Sequence, residues 1–598
     1  MNLFAQPFGL IIGGALLCAS AALAADAAAP AAAYESGLDV APLRRLEQQI
    51  RDAASDSGRR AACEAELLSL LAPGSSFEAK RFACAGLSVV GTDASLPALE
   101  ALLQAEDTAG IACLALGGLR TEQAGSLLRA ALAAARGPAR LPLVSALGAR
   151  AEAASVGALA ALARDADGAV AGAAVRALGA IDAAPAREAV EALRREASPA
   201  LAAAVGAASL CGAEQRLAAG DRAAAAAVCE ELLKPSWPAH VRRGALGLLL
   251  RSDGDQGARR ARSVLSAAAP DPVLTAVAIA RVPELRGEGV SKAFGELLPR
   301  LPAAEQVLLV EALAARGDAD ARAVLRAQVS SAATPVRCAA LGAVGALDGA
   351  AAAGLLVKAL ASPTPDEQQA AQAALVGLGG GEAADSALIA AARQAEGKDK
   401  LALLAVLSQR GGRLGAAELL AVACAPDEAA ARAAAQGLVR IAGAGDAAAL
   451  PVLQQAAANG ETRAQEAALR TLAAWRGLAA WDTLAGVYLK AGDEAQHALA
   501  LRGLVRAASE ANAEPGAGLA GRYLQLLSGA RGADERKLIL RVLGGGASPE
   551  TLKLALSLLD DPAVCAEAAE AVARLAKALE ASHPEAARAA LQRLQNRK

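Results

Sequence analysis

Any nucleophilic, metal-binding or phosphate-binding chemistry in this chain would have to come from its histidines, cysteines, paired carboxylates or glycine-rich strings. The three histidines, His240, His497 and His583, lie far apart in a repeating sequence and so cannot share a zinc ion. There is no C-x-x-C pair and no C-x-x-C-H haem attachment. Eight cysteines follow Cys18: Cys63, Cys84, Cys113, Cys211, Cys229, Cys338, Cys424 and Cys565. An even number in an exported chain admits disulfides, and Cys211 with Cys229, on the two helices of one extended hairpin, are the pair best placed for one. The others mostly stand where sister repeats carry alanine and read as small buried hydrophobes, Cys338 most clearly. Gly516-Ala-Gly-Leu-Ala-Gly521 fits G-x-G-x-x-G. A dinucleotide site needs that string between a strand and a helix, whereas here it joins two helices. Gly289-Val-Ser-Lys-Ala293 lacks the closing glycine of a nucleophile elbow. Asp560-Asp561 and Glu230-Glu231 read as solvated charge at helix ends. No catalytic residue, metal or cofactor is therefore expected. Trp475, Trp481, Tyr488 and Tyr523 gather within two adjacent repeats. Two readings are open for them: core packing, with the two tryptophans against each other across one turn, or anchors for a partner.

The elements that position these side chains are helical. The chain is 55% hydrophobic but only 2% aromatic, with one methionine, so Ala, Leu and Val must supply the core. Alanine is the best helix former, and strand-type alternation is missing. A period then emerges. Leu116, Leu147 and Leu178 stand 31 residues apart, as do Leu313, Val344 and Leu375, followed by Leu407, Leu438, Leu472 and Leu504. Pro138, Pro199, Pro238, Pro272, Pro335 and Pro562 fall where first helices should begin, with Ser198, Asp271, Thr334 and Asp561 as N-caps. Within 334–363, Val336, Ala340 and Val344 make one apolar stripe and Ala353, Leu356 and Leu360 another; Leu538 with Val542, then Leu552, Leu556 and Leu559, repeat the scheme. Gly317-Asp318 and Gly445-Asp446 mark turns. One hairpin cannot bury its apolar faces alone, so neighbours must stack. The fold expected is an all-α solenoid of about sixteen hairpins. The two longest units, 199–236 and 494–531, should place their extra residues in loops, the second at Ser509 to Gly518.

At the N-terminus, Phe8 to Leu17 is uncharged and apolar, and Ala22-Leu23-Ala24 is a small-x-small site. This reads as a signal peptide over 1–24 and predicts a periplasmic or secreted chain. A flexible spacer over 25–37, capping helices over 38–76, a repeat solenoid over 77–595 and a polar tail at 596–598 follow. No later stretch reads as an uncharged membrane span.

The pattern Pro335-Val-Arg-Cys-Ala-Ala-Leu-Gly342, with Val175-Arg-Ala-Leu-Gly179 and more loosely Thr462-Arg-Ala-Gln-Glu-Ala-Ala-Leu-Arg-Thr-Leu472, resembles the HEAT-like repeats of bacteria, including the short type of phycobilisome lyases. The resemblance implies a solenoid and a polar ladder between layers, with Asp165, Asp167, Arg176, Arg337 and Arg432 as structural members. It implies little about activity, since one scaffold hosts many functions.

Sixty Lys and Arg against 62 Asp and Glu give a net charge of −2 without basic runs, which argues against a nucleic-acid partner. The function expected is an extracytoplasmic scaffold that binds a protein or peptide on its concave surface without catalysis. A lyase-like or chaperone-like helper that delivers a chromophore or client protein is the alternative.

Overall fold

The computed structural model describes residues 31–36, 40–53, 56–196, 198–252, 254–512, 519–543 and 547–596. The leader read over 1–24 lies outside the described residues. The chain divides into two units, Met1–Glu288 and Gly289–Lys598, and every regular element among the described residues is helical.

In the first unit the hairpin Ala41–Ala53 and Ser57–Ser69 precedes six repeats, from Phe77–Val90 with Leu96–Leu103 to Ala239–Ser252 with Asp255–Leu265. The first helices of successive repeats pack on one another in one row, and each second helix packs against the first helix of the repeat that follows it. Alanine and glycine let the first row close almost backbone to backbone. A Cβ built on Gly148 would stand 2.9 Å from the Ala177 Cβ, and one on Gly179 only 2.7 Å from the Ala208 Cα. Leu116, Leu147 and Leu178 fill the space between rows and are fully buried. Residues 31–36, expected as part of a free spacer, dock on this unit instead: Ala31 is buried, and the Ser76 N–H donates to the Ala32 carbonyl at 2.9 Å. A backbone hydrogen bond formed there satisfies groups that a spacer would leave to water.

The second unit stacks nine hairpins after Val290–Gly295, from Ala303–Arg316 with Ala319–Gln328 to Cys565–Leu579 with Pro584–Gln595. Leu313, Val344, Leu375, Leu407, Leu438, Leu472 and Leu504 are all buried. Gly317 and Gly445 end their helices at φ +66 and +69, a conformation that suits glycine. Both units are stacks of helical hairpins, and the chain is an all-α solenoid. Thr334–Leu360 is long and apolar enough to cross a membrane by length and composition. It comprises the two helices of one repeat, whose stripes of Val336, Ala340 and Val344, then Ala353, Leu356 and Leu360, are buried in the core.

Some local expectations change. Both long units lengthen their first helices, Ala202–Ala218 and Glu494–Ala511. Those stretches are rich in strong helix formers, and added helical turns keep their backbone hydrogen bonds internal. Ser509 to Ala511 are therefore helical, and 513–518 lie outside the described residues. Asp271 caps its helix by accepting from the Val273 N–H. Ser198 makes no such bond, Thr334 lies inside its helix behind Ala333, and Asp561 accepts from the Ala563 N–H in the turn before Cys565–Leu579. In Ala533–Leu543 the inward face is Ile539, Leu540 and Leu543, and Leu538 is exposed.

Candidate binding surface

The four aromatics proposed as partner anchors are all interior: Trp475, Trp481, Tyr488 and Tyr523 are at most 2% exposed. A side chain without surface cannot seat a partner, so these residues are corrected to core. The two tryptophans are engaged separately. The Trp481 indole N–H donates to Gln525 Oε1 at 3.1 Å, and the Arg522 guanidinium stands 5.6 Å from the ring centroid of Trp481, a cation–π contact. The Trp475 carbonyl accepts from Arg506. The Tyr488 hydroxyl donates to the Leu526 carbonyl at 2.9 Å; burial, reinforced by the Glu535 charge, pushes its pKa up. The Tyr523 hydroxyl donates to Asn512 Oδ1 at 2.9 Å, and burial drives it up to about 12.

His497 belongs to the same buried group. Its ring stacks on Tyr488 with centroids 4.5 Å apart. Nδ1 is 2.9 Å from the Tyr488 carbonyl, and Nε2 is 3.0 and 3.1 Å from the two Glu535 oxygens. The Arg531 backbone N–H also donates to Glu535 at 2.8 Å. His497 thus links three helices of the second unit, Trp481–Lys490, Glu494–Ala511 and Ala533–Leu543. His583 is exposed at the start of Pro584–Gln595, beside Ser582, and His240 lies in the first unit. No group of three or more metal-ligating side chains occurs among the described residues.

The cysteines divide by burial. Cys63, Cys84, Cys113 and Cys229 are buried, Cys338 and Cys424 are partly exposed, and Cys211 and Cys565 are exposed. Burial raises the Cys84 and Cys113 thiols to about 12. Cys338, expected as the clearest buried case, is therefore only half covered. Cys211 is on the outer side of its helix while Cys229 faces the core, and the structure joins them by no bond.

The polar ladder implied by the repeat pattern is present, with altered membership. Arg337 pairs with Glu367 of the next layer, donating through Nε at 2.7 Å, and Arg140 pairs with Asp165. Arg242–Asp271 and Arg536–Asp561 repeat the link. Asp167 is an N-cap, accepting from the Ala169 and Val170 N–H groups. Arg176 and Arg432 have no ion-pair partner among the described residues. A second device went unread in the sequence. Arg150 donates to the Leu116 carbonyl of the preceding layer at 2.9 Å, Arg410 to the Leu375, Val376 and Leu378 carbonyls, and Arg506 to the Ala473 and Trp475 carbonyls. These side chains satisfy the last carbonyls of a helix, which have no partner within it. The signal was available: Arg150 and Arg410 each stand three residues beyond a landmark leucine.

Among the described residues, one cavity of about 680 Å³ opens in the second unit beside Leu559, Cys565 and Leu594, and one of about 670 Å³ opens in the first unit. Three successive layers line the cavity of the first unit. Glu214, Leu217 and Arg222 come from the hairpin of Ala202–Ala218 and Arg222–Leu232; Leu248, Leu250 and Arg251 from Ala239–Ser252; Arg281, Glu284, Leu285 and Arg286 from the end of Pro272–Arg281 and the turn after it. Arg281 pairs with Glu284 at 2.8 Å and Arg251 with Glu214 at 3.5 Å. Arg222 and Arg286 have no carboxylate partner among the described residues.

Fold and site together define an all-α helical-repeat solenoid. No protein-family model and no curated protein matches the sequence. Among solved structures, the chain is similar to the crystal structure of Kap121p, at 13% identity over 91% of this chain and 69% of that one, TM-score 0.38. It is also similar to Kap95p in its complex with RanGDP, at 12% over 93% and 77%, TM-score 0.40, and to importin beta, at 14% over 95% and 94%, TM-score 0.36. At these scores the likeness carries no argument, and the fold rests on the chain's own layers.

Proposed function

We propose that this chain is an extracytoplasmic interaction scaffold, exported behind the leader over 1–24, that holds a protein or peptide partner without chemistry of its own. The observation that carries the reading is the cavity shared by three consecutive layers. Only a ligand laid across the layers touches all of its walls, and stacked repeats are suited to binding by such extended contact. The buried polar groups support the same reading, because the ladder arginines and His497 are engaged between layers and the open surface is left for recognition.

Immobilised mature protein incubated with an envelope extract at mild salt is expected to retain a stoichiometric partner. Clean recovery of the chain without one overturns the scaffold reading. N-terminal sequencing of the exported chain is expected to begin at Ala25; an intact Met1 removes export with cleavage from the proposal.

A further inference from the structure

We infer that the contact between His497 and Glu535 is a proton-operated joint, in which the imidazole clasps three helices of the second unit only while both of its ring nitrogens carry hydrogen. The joint governs how the chain responds to pH and is independent of what the chain binds. A neutral imidazole has one N–H and one bare lone pair. Around His497, both nitrogens face oxygens. Nδ1 lies 2.9 Å from the Tyr488 carbonyl, which can only accept, and Nε2 lies 3.0 and 3.1 Å from the two carboxylate oxygens of Glu535. Whichever nitrogen a neutral ring left bare would set a lone pair against an oxygen, in a side chain 1% exposed where water cannot stand between them. The cation satisfies both contacts.

Two further observations put the hydrogen on the ring rather than on the carboxyl. Nε2 is nearly equidistant from the two Glu535 oxygens, as a donor shared by both oxygens of a carboxylate is, and Oε2 also accepts from the Arg531 backbone N–H at 2.8 Å. A protonated carboxyl would hand its hydrogen to Nε2 from one oxygen alone. The Tyr488 ring stacks on the imidazole with centroids 4.5 Å apart, and an aromatic face attracts a cation at that distance. The neighbouring charges are engaged elsewhere. The Arg531 guanidinium donates to the Ala491 carbonyl, and the Tyr488 hydroxyl donates to the Leu526 carbonyl. Arg536 and Lys537, on the helix of Glu535, pair with Asp561 and Glu567 of the next layer. On the other side, Arg470 and Glu466 of Thr462–Ala473 pair with each other beside Gln496, Leu499 and Arg502. Lys490, Asp493, Glu494 and Asp534 are exposed to solvent. The clasp therefore closes as the ring takes up its second proton and opens as pH rises.

The test uses the full chain labelled with nitrogen-15 histidine, whose three histidines are assigned by H240Q, H497Q and H583Q. At about pH 7.5, a unit above the ordinary histidine value of about 6.5, nitrogen NMR is expected to find both ring nitrogens of His497 carrying hydrogen. E535Q removes the carboxylate, and its amide can donate to a bare Nε2, so the second ring N–H should vanish at that pH. A wild-type ring with one bare nitrogen, or a ring still doubly protonated in E535Q, overturns the assignment. Hydrogen exchange reads the joint itself. As pH is raised until the second ring proton is lost, protection of Ala533–Leu543, corrected for the base-catalysed intrinsic rate, should fall by roughly tenfold, while Phe77–Val90 of the first unit keeps its protection. H497Q should start from the lower protection and show no such step. E535Q should show none either, which keeps the comparison available if H497Q fails to fold. Protection that does not follow the ring proton, or the same step in either variant, overturns the joint.

Discussion

The guanidinium of Arg150, shielded from water in its own layer, donates at 2.9 Å to the carbonyl of Leu116 in the layer before it. The contact closes the end of the helix Glu106–Gly118, and Arg410 does the same for Pro365–Val376 in the second unit. Helix ends buried between layers need such partners because water cannot reach them.

Arg410→Ala is expected to expose that dependence. It strands three carbonyls and leaves Asp385, its 2.8 Å ion-pair partner, without a cation, at a cost of about 2–4 kcal/mol. Hydrogen exchange should accelerate first in Pro365–Val376, since a stacked array opens locally. Unchanged protection there would remove the capping role.

Gly179→Ala should destabilise the first unit by about 1–3 kcal/mol, because the new Cβ would meet the Ala208 Cα at 2.7 Å. Gly342→Ala, on the open side of its helix with nothing within 4 Å, should be neutral or stabilise by up to about 1 kcal/mol. The urea midpoint of Gly179→Ala should fall, and that of Gly342→Ala should hold or rise.

Glu367 predicts an acid-side effect. Hydrogen bonds from Arg337 and then Ser362 hold its carboxyl below the ordinary value of 4.5. A depressed folded value means that the ladder link stabilises fully above the unfolded carboxylate range and is lost as pH falls through the lower folded value. Glu367→Gln should weaken the protein at neutral pH and flatten its loss of stability on acidification. A parallel pH profile for wild type and variant would contradict the link.

Thiol labelling of the native chain at mildly alkaline pH should modify Cys211 and Cys565 first and spare Cys84 and Cys113, whose pKa near 12 keeps them as thiols. Peptide mapping without reductant checks the pairing expected from sequence: protection of Cys211 that reductant reverses would establish a bond to Cys229.

Iodide should barely quench the tryptophan emission, because Trp237, Trp475 and Trp481 are 9%, 1% and 2% exposed. Strong quenching would return the Trp475 cluster to the surface.

The period of Leu116, Leu147 and Leu178 determined the solenoid by itself, because a hairpin that cannot bury its apolar face has to stack, and the stripes at Val336 and Leu356 show which faces turn inward. Helical phase was readable for the same reason, except in Ala533–Leu543, where a run of apolar residues offers two stripes one position apart. Tertiary structure decided the rest. Whether Trp481 is covered depends on Gln525 and Arg522 of the next layer, and whether Arg222 stands without a carboxylate depends on side chains from three layers meeting at one cavity. A repeat states which side chains leave each helix. Only the stacked layers determine which of them meet, since links such as Arg140–Asp165 and Trp481–Gln525 join residues 25 and 44 positions apart in the chain.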